Sequence, residues 1–215
     1  NDYGGLQPAN DFMGPVLWST DPDLFDQQGF DASAAHLDML HNSPLCVGME
    51  WDRDNAYYVF NGLDGSLDWY DFMVPHCPGC DDHSDGLKRR YENIQLTRAE
   101  GVMSGMRLQN GWLYISDSGA GRILRVDVAS GQTDGQFFTY INEQPMVTVS
   151  GATVEEFVPP EPAIIFNPAG LVWHEDTLYV ADAANGQLTA FDVDGKRINI
   201  LVTGLAPGAL GGIDV

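Results

Sequence analysis

Basic residues are scarce in this chain of 215 residues: Lys and Arg together number 10 against 31 Asp and Glu, for a formal charge of -21. A chain so negative repels phosphate backbones and anionic lipid headgroups, so nucleic acid is not an expected partner. Neither Lys nor Arg occurs before Arg53, and the one basic cluster, Lys88-Arg89-Arg90, is expected to be a solvated strand edge. Long apolar runs are missing as well. None approaches the roughly 18 to 20 residues that a membrane-spanning helix requires, so no membrane span is expected. Cysteine is limited to Cys46, Cys77 and Cys80, enough for one disulfide with one thiol over, which favours an oxidising, extracellular or secreted setting. No Asn-x-Ser/Thr acceptor for N-glycosylation occurs. Also absent are a Ser-His-Asp order, a Gly-rich phosphate loop and a His-Glu-x-x-His element, which leaves hydrolase and nucleotide chemistry without a foothold. The first residue is Asn with no charged-then-apolar leader before it, the pattern expected of a processed chain or a fragment.

What is abundant is a repeat. Residues 167–195 read as a small-residue entry, Pro168-Ala169-Gly170, then an apolar run ending at Trp173, then Leu178-Tyr179-Val180-Ala181-Asp182, then Asn185-Gly186 and a third run to Val193. Residues 105–128 copy the pattern with Leu113-Tyr114-Ile115-Ser116-Asp117, and residues 48–72 copy it with Tyr58-Val59-Phe60-Asn61. Gly170 to Asp182 and Gly105 to Asp117 each span twelve positions, and Asp182 to Asp192, Asp117 to Asp127 and Asn61 to Asp71 each span ten. One spacing kept in two copies and another kept in all three predict a stacked architecture. Runs of Val, Ile, Leu and Tyr separated by Asn-Gly or Asp-Gly turns predict antiparallel meanders, each unable to bury both faces alone. The expected fold is all-β, a propeller of four-stranded blades, with about three and a fraction blades in this chain.

The order Pro-x-Gly, then Leu-Tyr-Val-Ala-Asp, then Asn-Gly, then Asp192-Val193-Asp194-Gly195-Lys196 resembles the NHL repeat of six-bladed propellers over roughly half of the chain. The resemblance implies a loop-rich lead-in over 1–41 and propeller blades over 42–215. The blades divide as 42–98, then 99–141 with an insertion at 142–166, then 167–205, with the start of a further blade at 206–215. Within this frame, 88–96 is the expected fourth strand of the first blade, 136–141 that of the second and 197–202 that of the third. The lead-in is expected to hold a strand near Val16 and a short helix over 31–40. Residues 210–215 match an innermost strand, and that strand is expected not to stand as a free edge.

The least ordinary stretch lies between the first blade's third and fourth strands, where two His, two Cys and three Asp crowd residues 76–85. Cys77 and Cys80 with His76 and His83 could ligate zinc or copper, which favour sulfur and imidazole. Asp81, His83 and Asp85 followed by Gly86 imitate the opening of a calcium loop, with His83 standing where Asp or Asn is usual. A plain surface loop closed by a disulfide, from Cys77 or Cys80 to each other or to Cys46, is the third reading. The loop resembles a His- and Asp-rich loop of NHL-like proteins in which the cysteines have no counterpart, which shifts the metal reading to His76 and His83. His41, just ahead of an innermost strand, joins the candidate ligands. Calcium is the favoured ion, zinc or copper the less favoured ones.

Asp117 and Asp182 recur at the same blade position, which marks them as turn residues accepting backbone N–H groups, not as catalytic carboxylates. Trp51 and Trp173 are expected to pack at equivalent innermost-strand positions. The sequence therefore predicts an extracellular binding or structural assembly module with a protein partner or self-association into oligomer or filament. The alternative is a metal-dependent lyase-type enzyme, since the peptidyl-hydroxyglycine amidating lyase resembles this scaffold and uses channel histidines around zinc. Here Gly105 and Gly170 occupy the blade entrances where such ligands would be needed.

Overall fold

The computed structural model describes residues 14–18, 22, 36–74, 82–135 and 144–215. Among these lie sixteen strands. The short β1 (Val16–Trp18) and β2 (His36–Met39) form a two-stranded antiparallel sheet. Then come three blades of the propeller type. The first is built on β3 (Cys46–Arg53), β4 (Ala56–Asn61), β5 (Ser66–Asp71) and β6 (Leu87–Tyr91). The second has β7 (Met106–Gln109), β8 (Trp112–Asp117) and β9 (Arg122–Asp127), and the third is the plain meander β13 (Pro168–His174), β14 (Thr177–Asp182), β15 (Gln187–Phe191), β16 (Arg197–Val202).

The segment between the second and third blades departs from the expected layout. Strands β10 (Gln132–Asp134) and β11 (Met146–Ser150) return to the first blade, where β11 lies parallel to β6 and makes that sheet six-stranded. The second blade's fourth position is filled by β12 (Val154–Val158), antiparallel to β9. Residues 136–141, expected to be that fourth strand, lie outside the described residues. Of the expected insertion 142–166, the described residues 144–166 are thus no separate projection: they add to one blade and complete the next. The reason is apolar content, since Val149 joins the first blade's core and Phe157 and Val158 join the core beyond the second. In the lead-in, β1 appears near Val16 as expected, while residues 36–39 of the expected helix are extended.

The cores sit between the sheets. Tyr58, Phe60, Leu67 and Trp69 of the first blade pack against Leu113, Ile115, Leu124 and Val126 of the second. Tyr114, Ile123 and Phe157 then meet Leu178, Val180 and Phe191 of the third. Burying each such side chain contributes about 1.5–3 kcal/mol, so the stacking of blades, not the isolated meander, supplies the stability. Trp173 packs edge-on to Tyr114 at 5.1 Å between ring centroids. Trp51, expected to do the same, is 59% exposed, and its indole N–H donates to the Asp54 carbonyl at 3.0 Å. No full blade stands on its side of the first sheet among the described residues, so the equivalent position finds no wall to pack on.

The repeated glycines mark where the innermost strands converge. A Cβ on Gly48 would stand 2.1 Å from the Ser104 carbonyl oxygen, one on Gly105 2.6 Å from that of Ala169, and one on Gly170 2.6 Å from that of Gly211. Backbone hydrogen bonds cross at the same places: the amides of Ser104, Gly105 and Gly170 donate to the carbonyls of Val47, Ala169 and Gly211, each at 2.8 Å. Only glycine allows this approach. Gly105→Ala is expected to cost about 1–3 kcal/mol through overpacking, measured by urea unfolding, whereas Gly101→Ala, with open space around its Cβ direction, should lose only the smaller cost of its positive φ.

Candidate functional site

The repeated turn at the end of each second strand acts as a latch. Asp182 accepts from the backbone N–H of Phe166 at 2.8 Å and of Asn167 at 3.2 Å, and also from Ala184 and Asn185 in its own turn. Asp117 accepts from Thr97 N–H at 2.6 Å and from Arg122 at 2.7 Å. In the first blade, Asn61 does the same with an amide, accepting from Leu63 N–H and donating to the Asn42 carbonyl. Each latch ties a blade to the chain arriving from the element before it. Burial pushes the Asp117 carboxyl upward, opposed by the Thr97 N–H and Arg122. Every carboxylate oxygen of Asp117 and Asp182 is engaged in this way.

The lead-in meets the first blade through a buried polar cluster. Arg90 grips Asp68 with two hydrogen bonds of 2.7 Å, and its second guanidinium nitrogen also reaches the Asn42 carbonyl at 3.0 Å. Ser43 donates to Asp68 at 2.9 Å, the Tyr70 hydroxyl donates to the His41 carbonyl at 2.7 Å, and Lys88 Nζ donates to the Asn42 side chain at 2.8 Å. Lys88 is 2% exposed, and the Arg89 guanidinium lies over the Trp69 ring at 4.4 Å. The expectation of a solvated basic edge is therefore wrong. β6 is covered by β11, so its cations turn inward to neutralise Asp68 and anchor residues 41–43.

Two of the predicted ligands come together beside this cluster. The rings of His41 and His83 meet edge to face with centroids 5.2 Å apart, although 42 positions separate them in the chain, and both residues are buried. His41 Nε2 lies 3.3 Å from Met39 Sδ. Asp38, also buried, accepts from Asn55 Nδ2 at 3.2 Å. Burial raises its carboxyl to about 7, the Asn55 hydrogen bond and His83 opposing and Asp85 reinforcing the rise. Asp38 was missed in the sequence because a single Asp in a four-residue strand carries no spacing signal. His76, Cys77, Cys80 and Asp81 lie outside the described residues. Among the described ones, no group of three or more His, Cys, Asp or Glu side chains is arranged to hold a metal. Cys46 is a free thiol, half-buried, its Sγ–H donating to the Gly48 carbonyl at 3.3 Å. His174 stands exposed at the end of β13.

Where the inner strands converge, a shallow cavity of about 180 Å³ opens between Gly48, Ser104, Gly105, Gly170 and Gly212. Its walls are backbone and methionine side chains, with Arg107 on its rim held by Glu50 at 3.1 Å and Asp214 at 3.6 Å. Backbone amides and thioethers offer shape and hydrogen bonds but no nucleophile paired with a base.

No family model and no curated protein matches the chain. Among solved structures, it is similar to the crystal structure of the computationally designed Ika8 protein, at 10% identity and a TM-score of 0.41. That match covers 75% of this chain and 38% of the designed one.

Proposed function

We propose that this chain is a segment of an NHL-like β-propeller that serves as an extracellular binding or structural assembly module. One observation carries the reading. In the first two blades, the face turned toward the following blade is sealed, with Tyr58 and Tyr114 at 4% and 6% exposure and Leu67 and Ile123 at 0%. Their equivalents in the third blade, Tyr179 and Leu188, are only half-buried, and Leu201 beside Leu188 is 59% exposed. A sheet face built to be covered, and uncovered among the described residues, offers itself for contact with a further blade or a partner.

Hydrogen exchange over 187–191 and 197–202 at rising protein concentration tests the module. Protection that grows with concentration, together with a rise in particle mass, is the expected result. Exchange independent of concentration at a constant 23.5 kDa would remove self-assembly from the reading. The pairing of His41 with His83 keeps the lyase-type enzyme as the second reading. Metal analysis separates the two: zinc or copper in one-to-one amount, lost together with lyase activity, supports the enzyme, and calcium or no metal supports the module.

A further inference from the structure

Met39 and His41 flank a residue that faces the core. Leu40 is 1% exposed and packs with Val59, Tyr70 and Phe72, so alternation along extended chain turns its two neighbours the other way, where the Met39 sulfur lies 3.3 Å from His41 Nε2. His83 closes on this pair from a distant part of the chain, its ring against that of His41. The backbone holds both histidines in place. The His41 carbonyl accepts from the Tyr70 hydroxyl, and Asn42 beside it is gripped by Arg90 and Lys88. The His83 carbonyl accepts from Gly86 N–H at 3.4 Å in the turn that leads into β6. A Cβ on Gly86 would stand 2.7 Å from the Asp71 carbonyl oxygen, so glycine lets that turn lie against the end of β5.

The separations fit one shared ion. With bonds of about 2.0 Å to imidazole nitrogen and about 2.3 Å to sulfur, at angles near tetrahedral, a nitrogen and a sulfur on one ion stand about 3.5 Å apart and two imidazole centroids about 5 Å apart. Here the nitrogen and sulfur are 3.3 Å apart and the centroids 5.2 Å. The donor set then selects the ion. Two neutral imidazoles and a thioether offer no oxygen to calcium, and the soft thioether favours copper(I) over zinc. Charge agrees with that choice. The Asp38 carboxyl is engaged with Asn55, while the Lys88 ammonium and the Arg90 guanidinium reach Asn42, the residue next to His41, so a monovalent ion costs less to bury here than a divalent one.

We propose that Met39, His41 and His83 form a copper(I) site at the junction of the lead-in and the first blade. A search for clustered His, Cys, Asp and Glu passes over it, because the third donor is a methionine. The ion ties β2 to the turn before β6, two segments that no strand pairing joins. It goes beyond the module reading and does not depend on it, since its test reads copper and neither assembly nor activity.

Copper(I) titration in competition with bicinchoninate, under reducing conditions, tests the site, read by the competitor's colour and by the methyl NMR signals of labelled methionine. Thiols would take the same ion, so the titration is made with Cys46→Ser, Cys77→Ser and Cys80→Ser combined. The expected result in that background is one copper(I) per chain, a shift of the Met39 methyl signal, no such shift with zinc(II), and affinity lowered about tenfold or more by Met39→Leu and by His83→Gln. Met39 is half-buried and Leu is close to it in volume, so Met39→Leu should melt with its parent. If the chain without cysteine does not fold, the Met39 signal, assigned by its loss in Met39→Leu, reads the site in the wild type once the thiols are filled. A chain that yields all its copper to the competitor, a Met39→Leu variant that binds as tightly as its parent, or a Met39 signal that zinc(II) moves as copper(I) does would overturn the proposal. Each of these outcomes leaves the module reading to its own test, the exchange of the third blade's open face.

Discussion

Arg90→Met is expected to lower the unfolding free energy by about 3–5 kcal/mol, measured by urea denaturation at neutral pH. Asp68 is 1% exposed and takes two of its hydrogen bonds from Arg90, so removing the guanidinium leaves a carboxylate in the interior with only Ser43 to serve it. Burial works against the Arg90 charge, yet the hydrogen bonds and charge of Asp68 outweigh it and hold the guanidinium above its usual range. Asp68→Leu alone should cost a similar amount, because it takes from the cation its main partner and from the Ser43 hydroxyl its carboxylate acceptor. The double variant is the decisive measurement. Two apolar groups need no solvation, so Arg90→Met with Asp68→Leu should recover part of the sum, a coupling of about 1–3 kcal/mol. Strictly additive losses would mean that Arg90 acts by packing over β5 and not by pairing. A second readout follows from topology: since Arg90 and Lys88 hold residues 41–43, both single variants should open that turn to hydrogen exchange before the sheets themselves unfold.

How much of this was legible in the residues depends on whether a contact repeats. The second-strand latch was readable, because Asp117 and Asp182 recur at one spacing and a carboxylate at a strand end has backbone N–H groups to accept from. So were the meanders and the glycines at the blade entrances, although the sequence alone left open why Gly105 and Gly170 stand there. The answer is the crossing of one innermost strand by the backbone of the next. What was not legible is whatever happens once. The return of β10 and β11 to the first blade breaks the meander order, and a parallel neighbour for β6 has no local signature, since Met146–Ser150 reads as an ordinary strand wherever it pairs. The basic cluster was misread for the same reason: Lys88 and Arg90 look solvent-facing until β11 covers their strand. Of the candidate ligands, His41 and His83 were foreseen as chemistry and are found touching, while Asp38, the group whose protonation the environment changes most among the carboxyls there, gave no sign.

Raising the pH should destabilise the junction between the lead-in and the first blade, and Asp38→Asn should abolish the effect. Asp38 is 3% exposed and its carboxyl is raised to about 7, primarily by burial, against a value of about 3.9 in the unfolded chain. The sign follows from linkage. Between those two values the folded protein keeps a proton that the unfolded chain has released, so folding is favoured by low pH. The contribution is fully present below about pH 4, is lost as pH rises through 7, and changes no further above that. Its ceiling is about 4 kcal/mol, three pH units at about 1.4 kcal/mol each. Loss of the net charge of -21 on acidification acts in the same direction across the whole molecule, so the comparison must be made against a variant and not against pH alone. Asn keeps an oxygen for the Asn55 amide and cannot ionise. It should therefore match the wild type near pH 4 and exceed it near pH 8, by up to the same 4 kcal/mol. Hydrogen exchange at 36–43 and at 82–86 locates the effect, because Asp38 lies in β2 and both His83 and Asp85 bear on its charge. If wild type and Asp38→Asn follow parallel curves from pH 4 to pH 8, the carboxyl is not held protonated by its burial and the junction is not acid-stabilised.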